Sequence, residues 1–201
     1  MPEKEMPKSR LGTLLIICLF IVATVSAGYI GYWWGTRDDP LTSSPNWNTY
    51  TDKNLGFALA YPAAWRGEIT KDGYLLFKGP VDVKGSSPNI IVQAMLPASS
   101  GGNYSSYEDA ASNIVDQLKT NENYTLSSYT QTTICNESAR ELVCAYSYNG
   151  LALKERRIIF QDSNTGYIYM IVYTATETSY PEYIKTFEKA KGTFRFDRVS
   201  A

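Results

Sequence analysis

Hydrophobic and polar positions fall into two unlike regimes along this chain. Leu11 to Trp34 carries no charged side chain. At about 1.5 Å per helical residue it spans roughly 36 Å, enough to cross a hydrocarbon core of about 30 Å. Arg37 to Pro45 then has no apolar period and is rich in Pro, Ser and Thr, the composition of a short stalk. After it the apolar runs become strand-length. Trp47 to Tyr50, Gly56 to Tyr61, Tyr74 to Lys78 and Asn89 to Leu96 read as strands. Pro62 stops the second of these, and a tight turn to Trp65 tucks the indole inward. Gly79 to Pro88 and Pro97 to Tyr104 read as polar loops.

Helical spacing begins at Ser106. Tyr107, Ala110, Ala111, Ile114 and Leu118 share one side of a helix running to Lys119, and Ser106 with Asp109 caps its start. An antiparallel meander follows: Tyr124 to Cys135, Arg140 to Tyr148, Leu151 to Gln161 and Gly166 to Thr176. Asn149-Gly150 is the strongest hairpin signal, since both residues tolerate positive φ. A two-residue turn there pairs Tyr148 with Leu151, Tyr146 with Leu153 and Cys144 with Glu155. The last strand is apolar on both faces, which predicts that both are covered. A second helix runs from Tyr180 to Lys191, with Ser179 and Glu182 as caps, Pro181 in its first turn and Gly192 ending it. Thr193 to Phe196 closes as a short strand. The fold class is α+β, an αβα sandwich with a mostly antiparallel sheet covered by helices, preceded by one N-terminal transmembrane helix.

Charge sets the direction of the apolar stretch. Lys4, Lys8 and Arg10 precede it, whereas Arg37 follows it with Asp38 and Asp39. The basic excess places the N-terminus in the cytoplasm. Tyr29, Tyr32, Trp33 and Trp34 crowd the outer end, where amphipathic rings sit at headgroup level. The chain divides into a cytoplasmic N-terminus (1–10), a transmembrane anchor (11–34), a stalk (35–46) and an exported domain (47–198). This is a single-pass protein of the cell membrane with its C-terminal domain extracytoplasmic. Val25-Ser26-Ala27 also has the spacing of a signal-peptide cleavage site, and either reading exports the domain.

Composition narrows the chemistry. Removing the three basic and two acidic residues of the N-terminal part from totals of 19 and 20 leaves 16 and 18, a net charge of −2 on the domain. A surface of that net charge does not steer nucleic acid or anionic lipid. The chain has no histidine, so Ser-His and Cys-His nucleophile pairs are absent. No cofactor, metal ligand set or catalytic residue is assigned. Gly101-Gly102 lacks the Lys-Ser/Thr pair of a phosphate loop. Cys135 and Cys144 have a spacing that suits facing strands of one hairpin, and in an oxidising compartment they would form a disulfide; the alternative is two independent buried thiols. Lys154, Glu155, Arg156 and Arg157 form either a charged patch or cross-strand ion pairs.

Gly56-Phe57-Ala58-Leu59-Ala60-Tyr61-Pro62-Ala63-Ala64-Trp65 resembles the opening signature of the PsbP-like family. The order of the later elements is similar too, down to the closing Thr193-Phe194-Arg195-Phe196. The resemblance covers about Trp47 to Phe196, and the layout is that of a membrane-anchored prokaryotic relative. It implies an αβα sandwich and non-catalytic binding.

Two function classes follow. The first is a membrane-tethered binding module, an accessory or assembly factor for an envelope protein complex. The second binds a small apolar ligand or peptide between sheet and helix. The candidate partner contacts are Tyr104, Tyr146, Tyr148 and Asn149, because loops on a rigid sheet commonly carry contacts. Enzymatic activity is not expected.

Overall fold

The computed structural model describes residues 46–197. The anchor Leu11–Trp34, with Tyr29, Tyr32, Trp33 and Trp34, lies outside the described residues, as does nearly all of the stalk. Among the described residues no helix is long and apolar enough to cross a membrane.

The elements run β1 (Trp47–Asp52), β2 (Phe57–Pro62), β3 (Arg66–Ile69), β4 (Leu75–Lys78), β5 (Asn89–Met95), a 3-10 turn (Ala98–Ser100), α1 (Tyr107–Thr120), β6 (Tyr124–Ile134), β7 (Glu137–Tyr148), β8 (Leu151–Gln161), β9 (Ile168–Thr176), α2 (Tyr180–Thr193) and β10 (Arg195–Phe196). Seven strands form one sheet in the order β3-β4-β5-β9-β8-β7-β6, and a smaller sheet has the order β1-β2-β10. Every strand pair is antiparallel.

β9 is the middle strand of the seven, and all its residues are buried. This accounts for its apolar character on both faces. The outermost strands are more polar: β6 is rich in Ser and Thr, and β3 is Arg-Gly-Glu-Ile. A register shift between Leu126 and Ser128 interrupts β6, a common device at exposed sheet edges. β3 is too short to show an alternating pattern, so sequence reasoning passed over it.

The two helices lie on opposite faces of the large sheet. On one face Phe77, Ile90, Tyr173, Ile171 and Phe160 meet α2 and the small sheet. Phe187 of α2 stacks on Tyr173 at 5.3 Å, and Tyr61 of β2 stacks on Phe77 at 4.2 Å. On the other face α1 packs against β6, β7 and β8, burying Ala110, Ala111, Ile114, Val115 and Leu118. The Ser106 hydroxyl accepts the Asp109 N–H at 3.2 Å and caps α1 as expected. α2 departs from expectation at both ends. Ser179 makes no side-chain cap, because its hydroxyl meets Thr176 and Asp82 instead. Gly192 lies inside the helix, which ends at Thr193.

Candidate functional site

The charges in the middle of β8 serve the fold. Their side chains alternate between the two faces of the sheet. Arg156 points toward α2, where it pairs with Glu141 at 2.8 Å and also with Glu188. Lys154 lies over the Tyr180 ring at 4.9 Å. Glu155 and Arg157 point to the other face, where both are buried and paired with each other. Burial works against the Arg157 charge, but the neighbouring Glu155 carboxylate outweighs it and raises the guanidinium pKa above its ordinary value. The Thr174 hydroxyl donates to Glu155 at 3.4 Å. Of the two sequence readings, ion pairing is the nearer one, but of these pairs only Arg156–Glu141 crosses strands; Glu155–Arg157 lies within β8, and Lys154 rests on a ring.

The expected disulfide is corrected. Both Cys135 and Cys144 are free thiols. The β6–β7 turn consists of Cys135 and Asn136, with φ of 52° and 64°, so Ile134 faces Glu137. Cys135 therefore occupies the tip of the hairpin, while Cys144 lies well up β7 opposite Leu126. At about 3.3 Å per strand residue they are far beyond the Cα separation of about 7 Å that a disulfide bridges. The sequence reading placed the turn a few residues late because Cys is an uncommon residue at positive φ. The Cys135 thiol donates to the Phe194 carbonyl at 2.7 Å. Burial pushes its pKa up to about 11, with Glu137 adding to the effect. Burial, with Glu155 adding to it, pushes Cys144 to about 12.

The candidate contact residues do not form one surface. Asn149 and Gly150 make the expected two-residue turn, with φ of 50° and 78°, and both are exposed. Tyr148 is half-buried beside them. Tyr146 is buried, stacked on Tyr124 at 4.6 Å, and is unavailable to a partner. Tyr104 belongs to the opposite end of the sheet, where its carbonyl accepts the Ala98 N–H. Its loop is held by Gly102, whose N–H donates to Pro97; a Cβ on Gly102 would meet the Leu96 carbonyl oxygen at 1.7 Å. The paired glycines there solve a packing problem.

Sequence reasoning placed the loop between β4 and β5 correctly but passed over what its tip displays. Residues 79–88 were read as polar, yet Val81 and Val83 point outward with 70% and 99% exposure. Asp82 between them turns inward. Its Oδ1 accepts the N–H groups of Lys84 and Ser86 at 2.9 and 3.0 Å. Its Oδ2 accepts the hydroxyls of Thr176 at 2.8 Å and Ser179 at 3.4 Å. Burial is the largest single influence and opposes the carboxylate, but the four hydrogen bonds together outweigh it and hold its pKa below the usual value. The signal was present in Val-Asp-Val without a strand partner. The loop, the Tyr148–Asn149–Gly150 tip and the β9–α2 junction share one end of the large sheet, while Tyr104, the 162–166 turn and Cys135 share the other.

With this geometry in hand, the chain can be set beside known proteins. A sequence comparison with curated proteins finds no match. Among solved structures, cyanobacterial PsbP (CyanoP) from Synechocystis sp. PCC 6803 superposes with a TM-score of 0.54 at 12% identity, covering 84% of this chain and 99% of that one. The Ran-binding protein Mog1p of Saccharomyces cerevisiae gives 0.53 at 8% identity, covering 76% and 96%. LpqN, involved in cell envelope biogenesis of Mycobacterium tuberculosis, gives 0.51 at 17%, covering 69% and 81%. At these identities the likeness shows the fold alone. The family model described as PsbP-like protein matches residues 36–191, and by that match the chain belongs to the PsbP-like family.

Proposed function

We propose that this protein is a membrane-tethered, extracytoplasmic, non-catalytic binding module, an accessory or assembly factor for an envelope protein complex. The observation that carries the reading is a division of labour in the β7–β8 hairpin. Its charged interior is consumed by the pairs Glu155–Arg157 and Arg156–Glu141, while its tip, Asn149-Gly150, is exposed beside Tyr148. A rigid stem with a free tip suits contact more than chemistry. The fold is also that of a Ran-binding protein and of an envelope-biogenesis protein, which supports protein binding by analogy. A tether raises the effective concentration of a neighbouring membrane protein, so a small tip contact suffices. The apolar-ligand alternative needs room between helix and sheet, and on the α2 side stacked rings fill that space.

Photocrosslinking from Asn149 in intact membranes tests the proposal. A discrete protein adduct, lost on Tyr148→Ala, is expected. Substrate turnover in a hydrolase screen, abolished by one Asp, Glu or Ser substitution, would overturn it.

A further inference from the structure

Val81 and Val83 are the most exposed large apolar side chains among the described residues. Their display is built in. Asp82 fastens the loop from inside through four hydrogen bonds, and the Asp82 N–H donates to Ser86 at 2.6 Å to close the turn. Gly85, at φ 77°, donates to the Asp82 carbonyl and lets the chain reverse. The acidic charge therefore faces the protein. Of the two charged residues of the loop, Lys84 is the exposed one.

The position of the loop is as telling as its composition. The described chain begins at Asn46, whose carbonyl accepts the Ala63 N–H at 2.8 Å. Two residues on, the Trp65 indole packs at the foot of the loop, so close that a Cβ on Gly79 would lie 2.9 Å from it and 2.8 Å from Pro88. Chain entry and the valine tip thus belong to one end of the domain. Eleven residues, 35–45, separate that entry point from the uncharged stretch ending at Trp34. Fully extended they reach at most about 40 Å, and as a coil about 20 Å.

We propose that the tip of the Gly79–Pro88 loop is a bilayer-contact site, in which Val81 and Val83 enter the headgroup layer and Lys84 meets an anionic lipid phosphate. The inference rests on the tethered reading given above. Two valines and one lysine are far too small a patch for a stable second copy, which needs about 800 Å² per partner. A lipid surface makes no such demand, because the span supplies the affinity and the loop only orients the domain. Shallow apolar side chains beside a cation are the chemistry that interfacial lipid contacts use.

The test uses the full chain, reconstituted into vesicles of phosphatidylcholine with phosphatidylglycerol. An environment-sensitive fluorescent amino acid replaces Val83, or Thr133 at the other end of the sheet as control. Headgroup-nitroxide lipid should quench the Val83 probe at least about twofold more than the Thr133 probe. Val81→Asp and Lys84→Glu should each reduce that excess while leaving the thermal melt unchanged. Resistance to carbonate extraction reads the tether separately. A chain that resists extraction but shows equal quenching at both positions keeps the tether and overturns the loop contact. A blue-shifted Val83 probe that lipid nitroxide does not quench means a protein occupant, and overturns it too. A chain released by carbonate removes the tether and the proposal together.

Discussion

The face of the large sheet toward α2 and the face toward α1 are stabilised differently. Toward α2 the filling is aromatic: Phe57, Phe160, Tyr169 and Phe194 interlock, Tyr50 joins Phe57 to Phe77, and Phe187 stacks on Tyr173 within the same core. Toward α1 the row Asn89, Thr174, Glu155, Cys144 crosses four strands, with the Arg157 guanidinium beside it. Ring packing rewards burial through area and shape. A buried ion pair returns little net energy, but it penalises any arrangement that buries its charges away from the polar groups that satisfy them. A one-residue slip of β8 would carry Glu155 and Arg157 together to the ring-filled face. One face thus supplies most of the stability, and the other punishes wrong registers.

Truncation on the ring face should have the largest effect. Phe187→Ala removes a fully buried ring stacked on Tyr173 and is expected to cost about 4 kcal/mol in urea unfolding. On the charged face, Arg157→Met strands the Glu155 carboxylate and should cost about 3 kcal/mol, whereas Arg157→Met with Glu155→Leu should recover most of the loss. A double variant as unstable as the single one would show that the pair stabilises in its own right, and the contrast between the faces would collapse.

Asp82→Asn probes the same face at its rim, where the carboxylate holds Thr176 and Ser179. A loss of about 1.5 kcal/mol is expected at neutral pH. The folded-state pKa of Asp82 lies below its unfolded value, so its contribution is complete above the ordinary carboxylate range. It is lost as pH falls through the depressed value. Stability-versus-pH curves of wild type and Asp82→Asn should therefore converge in acid; parallel curves would remove the charge from the explanation. The thiols give the gentlest comparison. With pKa values raised to about 11 and about 12, both should resist alkylation at pH 8, and half-buried Cys135 should react before buried Cys144. Mass spectrometry of a timed, unreduced digest would follow them, and a Cys135–Cys144 crosslink in it would contradict the hairpin geometry.

Most of the fold was legible because local chemistry and tertiary context agree there. Asn149-Gly150 set the β7–β8 register correctly to the residue, since the turn demands what those two residues tolerate. α1 was readable from its stripe and its Ser106 cap. Where one residue has two possible uses, reading failed. Ser179 is a fair cap, yet it is engaged by Thr176 and Asp82, and only the path of a distant loop reveals that. Cys135-Asn136 hid a turn because only one of its residues advertises positive φ. Tyr146 and Tyr148 look alike in the sequence and share one face of β7; Tyr146 is covered by Tyr124 of β6, whereas Tyr148, the last residue of the strand, lies at the rim beyond β6. The β4–β5 loop was placed correctly, but its exposed valines were passed over because they serve no core.

The central position of β9 has a consequence in time as well as in space. It joins β5 to β8, yet it is the last of the seven strands in chain order and so the last to become available for folding. Until residue 176 has emerged, β3–β4–β5 and the β6–β7–β8 meander are two separate pieces, each with an open apolar edge. The nascent chain can close hairpins early, but it cannot complete the sheet until synthesis of the domain is nearly finished. Truncation before Ile168 should leave one chain with two unjoined, aggregation-prone sub-sheets, and a chaperone acting before β9 is in place would find its natural targets in the facing edges of β5 and β8.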